Sequence, residues 1–216
     1  MNPAKPEPRR SPRGTGSLEE QAAWEKYFDY LIKQLKEPDA NTRMKAAQIL
    51  GENREPRAVE ALGAALSDPD ASVRQRAAEA LARLGAPSLK HLISALGDPD
   101  AHVRQLATKA LGQIGGAQVV EPLITALRDP NADVSHHAAF ALNKIGAPAV
   151  DALMAALCDR DPNLRWNAAR LLGEIGDARA APELERVAQE DEGKTRSGKR
   201  VAEAAKAAAE KMKGKK

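Results

Sequence analysis

The chain has one cysteine, Cys158, in 216 residues. No internal disulfide is therefore possible, and a reducing, cytoplasmic setting is expected. Aromatic residues are scarce too, at 3%. Only Trp24, Tyr27, Phe28, Tyr30, Phe140 and Trp166 are available, too few for an aromatic-rich sheet core. Long apolar runs are missing too. The longest, broken by alanines, reach about a dozen residues, short of the roughly 20 that span a bilayer, so no membrane partner is expected. The first 16 residues are rich in proline and arginine and contain no apolar stretch, so neither a secretory signal nor a twin-arginine leader is expected.

Charge of one sign is small in sum but unevenly placed. The net charge of +3 combines +3 on residues 1–17, +6 on residues 192–216 and −6 on the long middle. The high pI of about 9.0 thus describes the two ends. Basic ends can touch nucleic acid or an acidic partner, or can simply keep an alanine-rich chain solvated.

What the chain has in abundance is alanine, leucine and repetition. SDPDASVRQRAAEALARLG at 67–85 is echoed by GDPDAHVRQLATKALGQIG at 97–115, RDPNADVSHHAAFALNKIG at 128–146 and CDRDPNLRWNAARLLGEIG at 158–176. Leu50, Leu81, Leu111, Leu142 and Leu172 follow at intervals of 31, 30, 31 and 30 residues. A period in this range indicates stacked supersecondary units. Each unit reads as two helices. The first carries leucines four apart (Leu62/Leu66, Leu92/Leu96, Leu123/Leu127, Leu153/Leu157), and Asp-Pro-Asp at 68–70 and 98–100 or Asp-Pro-Asn at 129–131 stops it, because proline disfavours helical geometry in the residue before it. The next Asp or Asn caps a second helix with an apolar frame of the Val73, Ala77, Ala80, Leu81, Leu84 type. Gly85, Gly115, Gly146 or Gly176 then closes that helix in a left-handed conformation.

The acidic turn followed by V-R-x-x-A-A-x-A-L-x-x-[IL]-G resembles the HEAT-repeat family, in particular its short bacterial variety named after phycobilisome lyases. The resemblance covers roughly residues 24–190. It implies an all-α fold, an α-α superhelix (HEAT-repeat solenoid) of about six helical hairpins, with the second helices lining a concave face. The expected organisation is a basic disordered tail at 1–16, a solenoid at 17–190, a basic Ala/Lys helix at 191–213 and a short tail at 214–216. Ser17 and Glu20 form a capping-box pattern for the first helix, whose stripe Trp24, Phe28, Leu31 and Leu35 would seal the core. Asp191 to Ser197 is the candidate hinge.

Two sets of residues stand out as candidates. Arg43, Arg74, Arg104 and Arg165 each follow an acid by four positions, namely Asp39, Asp70, Asp100 and Asp161. They resemble the structural Asp/Arg ladder of HEAT proteins, which Asn131 and Ser135 interrupt in the fourth repeat. The second set comprises the non-frame positions of the second helices, expected to face the concavity and to encode the partner. These are Met44, Lys45 and Gln48; Gln75, Arg76 and Glu79; Gln105, Leu106 and Lys109; His136, His137 and Phe140; and Trp166, Asn167 and Arg170. Aromatics and arginine dominate binding hot spots. Phe140 and Trp166 either anchor a partner or pack on each other or on the neighbouring helix.

The function expected is a non-catalytic scaffold for another protein, with no cofactor, no metal and a monomer favoured. Two alternatives stay open. The family's lyase namesakes suggest bilin handling by Trp166, Phe140, His136 and Arg170. HEAT-like DNA glycosylases suggest a nucleic-acid cradle, against which the −6 body counts. A di-iron site like that of the HEAT-repeat deoxyhypusine hydroxylase needs His-Glu pairs, and the chain has none; His136 and His137 point about 100° apart on a helix, a poor chelating arrangement. No glycine-rich phosphate loop, GxSxG elbow or Cys-x-x-Cys is present.

Overall fold

The computed structural model describes residues 17–214; the expected N-terminal tail and the last two residues lie outside them. The described residues form twelve α-helices and no strand, in six consecutive hairpins. The chain divides between Ala107 and Thr108 into two compact units. The first holds α1 (Leu18–Gln34), α2 (Ala40–Glu52), α3 (Val59–Ala65), α4 (Ala71–Leu84), α5 (Leu89–Ala95) and the start of α6 (Ala101–Ile114). The second holds the end of α6, then α7 (Val120–Ala126), α8 (Ala132–Ile145), α9 (Val150–Ala156), α10 (Pro162–Ile175), α11 (Ala181–Glu190) and α12 (Val201–Lys213).

From α3 to α9 the first helix of each hairpin is only seven residues long. A 3-10 turn leads into it, and in Ala86–Ser88 and Ala147–Ala149 a proline near the start fixes φ for that turn. Gly85 and Gly146 precede these turns with φ of 72° and 70° and ψ of −137° and −129°. That region is essentially open to glycine alone, and differs from the left-handed closure expected there. Gly176, at φ 77° and ψ 24°, is truly left-handed.

The second helices supply the core. Val73, Ala77, Ala80 and Leu81 are buried, as are Val103, Ala107, Ala110 and Leu111, then Val134, Ala138, Ala141 and Leu142, then Leu164, Ala168, Leu171 and Leu172. Ala78, Thr108, Ala139 and Ala169 are buried beside them, so the apolar stripe is wider than the frame read from sequence. Glycine brings some second helices unusually close. A Cβ placed on Gly51 would lie 2.6 Å from the Cα and Cβ of Ala80, one on Gly112 2.6 Å from Ala141 Cβ, and one on Gly173 2.6 Å from Ala208 Cβ. Three tight pairs result: α2 with α4, α6 with α8, and α10 with α12.

At the N-terminus the capping box forms: Ser17 Oγ accepts from Glu20 N at 3.2 Å, and Ser17 N donates to Glu20 Oε2 at 2.8 Å. Trp24, Phe28, Leu31 and Leu35 are buried. Polar groups fasten the seal. Trp24 Nε1 donates to the buried Glu55, whose other oxygen accepts from Arg57, and the Arg57 guanidinium lies 4.3 Å above the Phe28 ring. These bonds hold the Glu55 carboxyl below the usual carboxylate range, that from Arg57 contributing most.

The arginine ladder has different carboxylate partners from those its spacing suggests. Asp39, Asp70 and Asp161 are N-caps of their own helices, and Asp100 likewise accepts from the His102 and Val103 amides. Arg43, Arg74 and Arg165 reach instead the first acid of the next turn. Arg43 grips Asp68 with Nε at 2.6 Å and Nη2 at 2.8 Å. Arg74 reaches Asp98 with Nε at 3.0 Å, and Arg165 grips Asp191 at 2.6 and 3.0 Å. The remaining Nη1 donates to two carbonyls of the turn between the two helices: Glu37 and Pro38, Asp68 and Pro69, Asp98 and Pro99 from Arg104, or Asp159 and Arg160. A guanidinium thus satisfies turn carbonyls outside the helical ladder. The fork bends the pKa of Asp68 and of Asp191 downward, chiefly through the arginine hydrogen bond.

In the fourth repeat Ser135 only returns its hydroxyl to Ala132 O. Asp159 of the following turn is bound by Arg128 instead. Position 128 aligns with Ser67, Gly97 and Cys158, so an arginine at the end of the first helix replaces the missing one on the second. The segment expected to hinge is tied down at several points: Asp191 by Arg165, Arg196 N to Asn163 Oδ1 at 3.0 Å, and Val201 N to Gly193 O at 3.0 Å.

Candidate functional site

The candidate partner-binding residues sit on the second helices, and the two units treat them differently. In the first unit all of them but Lys45 are half-buried or paired close by. Gln48 donates to Glu52, Arg76 binds Glu79 at 2.8 Å, and Gln105 meets His102 at 3.1 Å. Met44, Gln75 and Leu106 are half-buried, and Lys45 is exposed. Nothing there forms an open apolar site.

In the second unit two clefts lie each between a tight helix pair. The first, about 460 Å³, has Gly112 and Ala141 as its floor, Lys109 and Gln113 on the α6 side, and His136, His137, Phe140 and Lys144 on the α8 side. Phe140 is 68% exposed, the most exposed large apolar side chain beyond the first helical turn of the described chain. His137 Nδ1 donates to the Asp133 carbonyl at 2.6 Å, which leaves its Nε2 as the outward nitrogen. The His136 and His137 rings lie 6.5 Å apart and nearly perpendicular.

The second cleft, about 430 Å³, lies between α10 and α12 and includes Trp166, Arg170, Glu174, Lys199, Glu203 and Lys211 around Gly173 and Ala208. Trp166 is not open like Phe140. The Lys199 ammonium sits 4.5 Å above its ring, and Arg170, itself paired with Glu174, lies 5.8 Å away. Asn167 is half-buried beside it. The two aromatics therefore occupy separate clefts. Lys144 was missed in the sequence although it follows Phe140 by one helical turn; Lys199, on an irregular segment, had no periodic signal to reveal it.

Among the described residues no group of three or more His, Cys, Asp or Glu is placed to hold a metal ion, and no helix is long and apolar enough to cross a membrane. Cys158 is exposed, with Glu183 and Arg186 as neighbours at 3.6 and 3.7 Å.

A family model described as HEAT repeats matches residues 28–112, 87–129 and 120–205, most of the chain. This is a HEAT-repeat protein. Comparison with curated proteins finds no match. Among solved structures, the HEAT-repeat chain is similar to two engineered proteins. One is 24% identical with a TM-score of 0.50, over 87% of this chain and 97% of that one. The other is 23% identical with a TM-score of 0.50, over 87% and 98%. A designed armadillo repeat protein in complex with the peptide (KR)4 is 21% identical with a TM-score of 0.48, covering 86% and 99%. At these identities the likeness speaks for the fold alone.

Proposed function

We propose that this HEAT-repeat protein is a non-catalytic scaffold that binds another protein through the outward positions of its second helices, with Phe140 as the principal anchor. One observation carries the reading: a phenylalanine 68% exposed at a formed cleft, on a helix whose Val134 and Leu142 are fully buried. Exposed aromatics cost solubility unless they are covered, and aromatic anchors in pockets dominate interface energies. His136, His137 and Lys109 complete that anchor site. Trp166, Asn167 and Arg170 form a separate candidate surface in the second unit, and Met44, Gln75, Arg76, Gln105 and Leu106 one within the first unit taken by itself. Asp191 to Lys213 keep the role of a basic closing segment on the repeat body of residues 17–190. The proposed setting is the cytoplasm, where a free exposed thiol such as Cys158 stays reduced.

The test compares wild type, Phe140→Ala and Trp166→Ala as baits in affinity capture from the source cell, alongside thermal melts. The Phe140 variant should lose a captured protein, at a cost of about 2 kcal/mol of binding, with an unchanged melting temperature. Identical captured sets from wild type and Phe140→Ala would refute the reading.

A further inference from the structure

The α6/α8 and α10/α12 clefts of the second unit are one design used twice, with different outcomes. Lys109, Gly112 and Gln113 recur 61 residues later as Arg170, Gly173 and Glu174. In the later copy two acids stand among the cations: Arg170 is bound to Glu174, Glu203 is a second acid beside Lys199, Arg200 and Lys211, and Lys199 covers Trp166. In the earlier copy no acid stands among the cations. The lining of the α6/α8 cleft contains two lysines, two histidines, one glutamine and Phe140, with no acid. Lys109 and Lys144 make no ion pair among the described residues.

We propose that the α6/α8 cleft recognises an acidic peptide segment carrying one apolar side chain. The apolar group rests on Phe140 over the Gly112/Ala141 floor, and flanking carboxylates meet Lys109 and Lys144. The outward Nε2 of His137 and the exposed His136 ring supply further hydrogen-bonding groups. Charge complementarity of this kind selects partners and speeds encounter. The surroundings favour a short acidic peptide over a nucleic acid. Residues 18–191 carry −6, so a long polyphosphate would be repelled by the body more than a short peptide with a few carboxylates. The proposal rests on the scaffold reading and adds the chemistry of the partner.

The experiment uses the full chain and fluorescein-labelled synthetic peptides read by anisotropy: a leucine flanked on both sides by glutamates, the same peptide with lysines for glutamates, and the glutamate peptide with glycine for leucine. The glutamate-leucine peptide should bind about tenfold more tightly than its lysine counterpart at low salt, with the preference shrinking as salt rises. Lys109→Glu together with Lys144→Glu, both exposed positions, should abolish the preference with an unchanged melt. Phe140→Ala should erase the advantage of leucine over glycine while leaving the charge preference. Phe140-dependent binding of the lysine peptide at equal or greater strength would overturn the acidic assignment and leave the scaffold reading intact. Binding of neither peptide would also overturn it, with the capture experiment on Phe140→Ala judging the scaffold separately. Displacement of the glutamate peptide by a short oligothymidine through Lys109 and Lys144 would reassign the cleft to nucleic acid.

Discussion

Exchanging a methyl group across the α6/α8 contact tests the close approach that forms the floor of the Phe140 cleft. A Cβ on Gly112 would lie 2.6 Å from Ala141 Cβ but 3.5 Å from Ala141 Cα. Gly112→Ala alone therefore forces two methyls more than an ångström inside their normal separation, costing about 1–3 kcal/mol. Its better helix propensity returns about 1 kcal/mol. Ala141→Gly alone loses a buried methyl, about 0.8 kcal/mol, and about 1 kcal/mol of propensity. In the double variant the methyl merely changes sides. The propensity terms cancel, the clash is gone, and the new Cβ meets Cα at ordinary contact distance. Stability should return to within about 1 kcal/mol of wild type, a favourable coupling of about 1–3 kcal/mol. Thermal melts followed by far-UV circular dichroism read this directly, since about 1 kcal/mol moves the midpoint of a chain this size by roughly 2–4 °C. A double variant as unstable as the sum of the singles would refute the contact and the cleft floor built on it.

Acid should unfasten the arginine forks. The carboxyls of Asp68 and Asp191 are held below their ordinary value of 3.8, so their stabilisation is complete above it and disappears as pH falls through the depressed folded values. Melting temperatures between pH 7 and pH 2.5 should fall less steeply for Asp68→Asn/Asp191→Asn than for wild type; parallel curves would contradict the assignment. The two kinds of arginine should also differ. Arg165→Ala strands the half-buried Asp191 and two carbonyls, and should cost about 2–4 kcal/mol. Arg128→Ala breaks a pair whose arginine is 45% exposed and should cost no more than about 1 kcal/mol, so equal losses in denaturation would show that Arg128 is not a partial substitute.

Local rules made much of the molecule legible. Asp-Pro punctuation, capping residues and the 30- and 31-residue leucine rhythm announce six hairpins, and the Ser17/Glu20 pair announces the first helix start. These signals survive because each depends on a few neighbouring backbone groups. The ladder arginines were equally visible, but their carboxylates were not. Asp39 is four residues from Arg43 and engaged as a cap, whereas Asp68 is 25 residues away and reached only when hairpins stack.

Phe140 and Trp166 look alike in the sequence, both occupying outward positions of second helices. Tertiary structure separated them, since a cation from an irregular segment settled on Trp166 and none covered Phe140. The glycines show the same division. Within a helix Gly112 reads as a mild defect, and only the arrival of Ala141 against it makes that glycine the floor of a cleft. Periodicity determined which helices this protein makes and which faces they bury, because those are properties of short stretches of chain. Which outward side chains remain uncovered was decided by packing, because exposure depends on what distant segments bring alongside.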